Sequence, residues 1–140
     1  MAKKKLTEYI EKYIGYEARI ERAIEYAEGS LNRIMSQLHE YRIREIKKEN
    51  KVMSFELLDF RIELRFSINI MKDQGYVYWY YIKFNPERRR DEGILLIMDT
   101  FDHSGNIDAE RSILSPPYWM MSIIKCLENI DDLGVGMAEG

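Results

Sequence analysis

The chain is poor in the residues and patterns that usually announce a function. A single cysteine, Cys126, excludes an intramolecular disulfide. Two histidines, His39 and His103, exclude a His-rich zinc site. The longest apolar runs fall far short of the ~20 residues that span a bilayer. Lys3-Lys4-Lys5 followed by Thr7-Glu8 is not a signal-peptide pattern. The expectation is a cytoplasmic protein without membrane contact. No nucleophile elbow, P-loop or Gly-rich dinucleotide string occurs, so no catalytic residue, cofactor or metal is assigned and no enzyme is expected. Net charge is only −3, which removes a global electrostatic case for nucleic acid. The charge is uneven, +3 over residues 1–52 and −6 over the remainder.

What is present suffices for a fold. The 140 residues are 46% hydrophobic and 32% charged, a composition that buries a core without staples. One α+β domain over residues 1–132 is expected, with a flexible tail at 133–140, where the sequence turns Gly-rich. The dominant pattern is an apolar seam: Leu6, Ile10, Tyr13, Ile20, Ile24, Ala27, Leu31, Ile34, Leu38 and Tyr41, with Glu17 filling one slot. Steps of three and four place these side chains on one helical stripe. The period predicts helix over 6–48. A straight helix of about 42 residues would be ~63 Å long, whereas a domain of this size is only ~40 Å across. Either the helix bends or breaks at Gly29-Ser30, giving 6–28 and 31–48, or it projects toward a partner. The seam stays in phase across Gly29, which argues for continuity. Its heptad-like spacing predicts a homo-oligomer through residues 6–41.

After a polar connection at 49–54 the period changes to two. Phe60, Ile62, Leu64, Phe66, Ile68 and Ile70 alternate with polar residues, the pattern of a half-buried strand. Leu57-Leu58 resets the phase, as a β-bulge would. Lys72-Asp73-Gln74-Gly75 reads as a turn in which Gly75 takes positive φ. That turn pairs Ile70 with Tyr78, Ile68 with Tyr80 and Phe66 with Ile82. Further strands are expected at 93–101 and near 106–111. Ser115-Pro116-Pro117 then opens a final helix with Trp119, Ile123, Leu127 and Ile130 on its buried stripe. The expected architecture is a long N-terminal helix, bent or unbent at Gly29, an antiparallel meander of three to four strands, and a C-terminal helix.

In this register the outer face of the first hairpin carries Trp79, Tyr81 and Lys83 opposite Asn69, Ser67 and Arg65, with Arg61 beside them. Aromatics interleaved with arginines make protein hot spots and can also stack nucleobases. Arg88, Arg89 and Arg90 form a second, basic candidate, cancelled locally by Glu87, Asp91 and Glu92. Asp102, Ser104, Asn106 and Asp108 alternate oxygen ligands as a calcium loop does, but Ile107 and Ile113 stand where glycine and a bidentate glutamate belong. Cys126 falls on the buried side of the last helix and reads as a structural thiol. These features predict a small non-catalytic protein-interaction module of the kind found among inhibitors, immunity proteins and phage or bacterial accessory proteins. The alternative is a nucleic-acid-binding module using the same sheet face.

Overall fold

The computed structural model describes residues 2–37, 42–57 and 60–132. The chain runs α1 (Ala2–Gln37), β1 (Ile43–Glu49), β2 (Val52–Leu57), β3 (Phe60–Asn69), a 3₁₀ turn (Ile70–Lys72), β4 (Gln74–Asn85), β5 (Arg90–Phe101) and α2 (Pro116–Asp132). The strands form one five-stranded antiparallel meander in sequence order. The fold is α+β as expected, with five strands rather than three or four. The segment near 106–111 is not a strand; it makes only the bridge Asn106↔Ser112.

α1 is continuous through Gly29. Gly29 faces solvent, and a Cβ there would meet nothing within 4 Å. Its weak propensity costs the helix about 1 kcal/mol but does not break it. Packing outweighs that cost: Ile20, Ile24, Ala27, Leu31 and Ile34 of the seam are buried, and Tyr16 and Ala23 beside it are buried with them. Leu38 and Tyr41 lie outside the described residues, as do the Leu58 half of the expected bulge and the tail at 133–140.

The helix does not reach residue 48, because 43–49 is a strand. Ile43 and Ile46 stand three apart, which reads as helical. A register shift between Arg44 and Lys47, with Glu45 at φ 53°, turns both isoleucines to the same side of the sheet. The bulge therefore mimics a helical period. The Arg44–Glu56 pair at 3.0 Å and the Lys48–Glu28 pair at 2.9 Å tie this edge strand to its neighbours.

The β3–β4 hairpin departs from the expected register. Leu64 pairs with Trp79, Ile62 with Tyr81 and Phe66 with Val77. The loop is Ile70 to Asp73, closed by the Lys72 N–H donating to Asn69 Oδ1 (3.2 Å) and by Asp73 in the left-handed region at φ 50°. Gly75 does not have positive φ. It lies in β4 opposite Ile68, and the Phe101 ring occupies the space above it. The shift is an odd number of residues, so every side chain of β4 changes face.

Both helices cover the same side of the sheet. Tyr16 of α1 meets Phe101 (5.9 Å between centroids), and Trp119 of α2 meets Trp79 (6.3 Å) and Phe66 (5.9 Å). One core joins α1, α2 and the inner face of every strand. α2 starts at Pro116 as expected, and buries Tyr118, Trp119, Ile123, Cys126 and Ile130. No helix among the described residues is long and apolar enough to cross a membrane.

Candidate interaction surface

With both helices on one side, the other face of the sheet is left open by the described residues. Its central ridge is the even-numbered set of β4: Tyr76, Tyr78, Tyr80, Ile82 and Phe84. Successive tyrosine rings stack, Tyr76 on Tyr78 at 6.1 Å and Tyr78 on Tyr80 at 6.0 Å. From Tyr76 to Phe84 the ridge spans about 27 Å at ~3.4 Å per residue. Phe84 is 57% exposed. Across β5 the same face adds the exposed side chains of Leu95 and Met98, opposite Tyr80 and Tyr78.

On the β3 side stand Arg61, Glu63, Arg65 and Ser67. Glu63 is nearly buried and organises both arginines. Arg65 donates to it from Nε (2.9 Å) and Nη2 (2.7 Å), and Arg61 approaches to 3.9 Å. The Arg65 guanidinium lies 5.7 Å from the Tyr80 centroid, within cation–π range. These side chains surround an open depression of about 430 Å³, walled by Tyr80 and Ile82 and opened on the β5 side by Gly93. A Cβ at Gly93 would stand 3.3 Å from the Tyr80 ring.

The open face is electrically balanced. Arg44, Lys47, Arg61 and Arg65 share it with Glu49, Glu56, Glu63 and Asp91, as the strand register places them. Backbone donors and acceptors on the free edge of β5 are interrupted by a register shift at Trp79/Tyr80, which makes Leu96 an extra residue. The Leu96 carbonyl accepts from Asn129 Nδ2 of α2 (3.1 Å), which blunts that edge.

The residues singled out from sequence scatter. Arg61 and Arg65 are on the open face. Trp79 (0% exposed) and Tyr81 (3%) are in the core, so neither lines it. The reason is chemical: burying Val77, Trp79 and Tyr81 leaves three tyrosine hydroxyls at the surface, whereas the other face would bury them. Asn69 caps the 3₁₀ turn. Lys83 is exposed at the far end of β4, paired in register with Glu92 and turned to the helix side. Arg88, Arg89 and Arg90 sit at the β4–β5 hairpin. Arg88 and Arg90 approach Glu92 at 3.4 and 3.7 Å. A hydrogen bond from Asn85, then the two arginine charges, hold the Glu92 carboxyl below its usual range. Tyr76, Tyr78, Tyr80, Ile82 and Phe84 were missed because their strand is apolar on both faces. The hydroxyl count per face was the available signal.

The carboxylates of Asp102 and Asp108 are engaged in turns. Asp102 accepts the N–H groups of Ser104 and Asn106, and Asp108 those of Glu110 and Arg111. Asp99 accepts from the Tyr118 hydroxyl at 2.7 Å, and burial followed by this bond pushes that phenol's pKa up. Burial likewise raises the Cys126 thiol, which keeps it in the unreactive protonated form. A second concavity of about 520 Å³ lies between α2 and β5, with Met121 and Ile124 exposed on its rim. No protein-family model, curated protein or solved structure matches the chain.

Proposed function

We propose that the chain is a non-catalytic, cytoplasmic protein-interaction module that binds a protein partner through the open face of its sheet. The observation that supports this is the ridge Tyr76–Tyr78–Tyr80–Ile82–Phe84, which the described residues leave uncovered because α1 and α2 both pack on the other side of the sheet. Strand-borne aromatics lose little rotamer entropy on contact, and tyrosine and arginine are the residues from which binding hot spots are built. Action as an inhibitor, immunity or accessory protein is consistent with such a surface.

Nucleic-acid binding is the second reading, favoured by stacked tyrosines beside Arg65. The balanced charge of the face weighs against it, since affinity for a phosphate backbone comes from cations free to displace counterions. Self-association is also part of the proposal, on a narrower surface than the whole 6–41 seam. The seam from Ile20 to Ile34 is buried in the chain's own core, which among the described residues leaves the first turns of α1 for a second copy.

The test places a photo-crosslinking residue at Tyr78 of the intact protein, with Gly29 on the opposite surface as the control. Crosslinking to one protein species from position 78, absent from position 29 and lost in Tyr80→Ala, supports the reading. Equal labelling from both positions overturns it. A low-salt gel shift with single-stranded oligonucleotide that Tyr78→Ala abolishes transfers the site to nucleic acid.

A further inference from the structure

The N-terminal turns of α1 extend past the part of the helix that meets the sheet. Residues 3–8 are all exposed, and attachment begins with Lys12 to Asp73 (3.3 Å) and with Tyr13 and Glu17 at Lys51. Leu6 and Ile10 on this overhang are 59% and 50% exposed, and Ile14, at the start of the attached part, is 58% exposed. Their four-residue spacing makes them a continuous aliphatic stripe.

We propose that two copies of the chain pair antiparallel along this stripe, with Ile10 at the two-fold axis. The proposal rests on the self-association reading above and specifies its geometry. Residues 3, 6, 7, 10, 13, 14 and 17 share one helical face. Setting a second copy antiparallel about Ile10 brings Leu6 of each copy to Ile14 of the other, and Lys3 to Glu17. The two-fold repeats both contacts, as an isologous interface requires. A parallel arrangement would instead gather Lys3, Lys4 and Lys5 of both copies and set Glu17 against Glu17. Charge complementarity therefore selects the antiparallel form. Glu17 already faces Lys51 at 3.4 Å, and a carboxylate has acceptor sites for a second cation. The stripe and its flanks cover on the order of 400 Å² per copy, about half the ~800 Å² per partner of a standard interface. The dimer is accordingly weak and concentration-dependent.

Sedimentation of the full chain across micromolar concentrations should show a monomer–dimer equilibrium, and Ile10→Lys should weaken it at least tenfold. A strict monomer overturns self-association itself. A dimer unchanged by Ile10→Lys overturns this surface. Oxidative crosslinking then decides orientation, since Cys126 is buried and stays silent. A mixture of Leu6→Cys and Ile14→Cys chains should give the mixed disulfide, and Leu6→Cys alone should give none. Efficient crosslinking of Leu6→Cys alone overturns the antiparallel pairing while leaving self-association standing. Each of these positions is at least half exposed, so the variants retain the fold.

Discussion

Replacing Gly75 by alanine should destabilise the protein by about 2–3 kcal/mol, through overpacking rather than backbone strain. An alanine Cβ would stand 2.2 Å from Phe101 Cζ and 2.3 Å from Cε2. Real carbon contacts open to ~3.5 Å or more, so ring or strand must move by over an ångström. The ring is not free to do so. Phe101 is 2% exposed and wedged between Tyr16 (5.9 Å) and Phe66 (6.3 Å). With a urea m-value of about 2 kcal/mol/M, the expected fall in midpoint is about 1–1.5 M. The mechanism is separable from a conformational one by a double-mutant cycle. Phe101→Leu removes the far ring atoms at its own cost of about 1–3 kcal/mol. In that background Gly75→Ala should lose most of its effect, giving a coupling of about 1.5 kcal/mol or more. An undiminished penalty in the Phe101→Leu background would refute the reasoning. It would restore the reading in which Gly75 is a turn residue needing positive φ, and with it the other register.

Two further outcomes follow from the same geometry. Trp79→Ala should cost about 3–5 kcal/mol in urea unfolding and Tyr78→Ala less than about 1, because one ring is in the core and its neighbour is on the open face; comparable losses would mean that the faces are misassigned. The Tyr16 hydroxyl, at 2.9 Å, and then Lys12 hold the Asp73 carboxyl below its usual range. A depressed folded pKa stabilises fully above the unfolded value near ~3.9 and is lost as pH falls through the folded value. Asp73→Asn should therefore be less stable than the parent at pH 7, with the gap closing only below about pH 4. A gap that closes between pH 8 and 6 would be incompatible with this assignment.

Much of the architecture was legible because long periodic segments state their partner faces directly. The seam from Ile20 to Ile34 is buried as its spacing requires, and β3 alternates as read. Two local features hid the rest. In β1, the bulge at Arg44/Lys47 gives Ile43 and Ile46 a three-residue spacing that belongs to a helix. Its polar remainder, Lys47 to Glu49, continued the charged pattern of α1 and offered no break to read. Of the two outcomes that helix length allowed, a bend at Gly29 or a projecting helix, α1 takes the second: it runs on through Gly29 and its first turns stay exposed. A 36-residue helix at ~1.5 Å per residue is about 54 Å long, longer than the ~41 Å of the twelve-residue strand β4.

The candidate surface turned on a choice that periodicity alone could not make. Strand β4 is apolar at both phases: Val77, Trp79 and Tyr81 on one, Tyr76, Tyr78, Tyr80 and Ile82 on the other. Matching β3 to either phase brings core to core, so the hydrophobic pattern is degenerate. The tie is broken by polar atoms and by space. Only one phase leaves the hydroxyls of three consecutive ridge tyrosines near water, and the same phase sets Gly75 under Phe101, where any other residue would collide. That choice is also incompletely satisfied: Trp79 Nε1 is buried without a hydrogen-bond partner among the described residues. Leaving such a donor unpaired costs about 1–3 kcal/mol. Burial of the indole against Phe55 and Trp119 has to exceed that cost, and apolar burial of a Trp ring does so. The pressure that puts Trp79 inside is thus the pressure that puts the tyrosine ridge outside. The proposed interaction surface is the by-product of a core decision made one residue away.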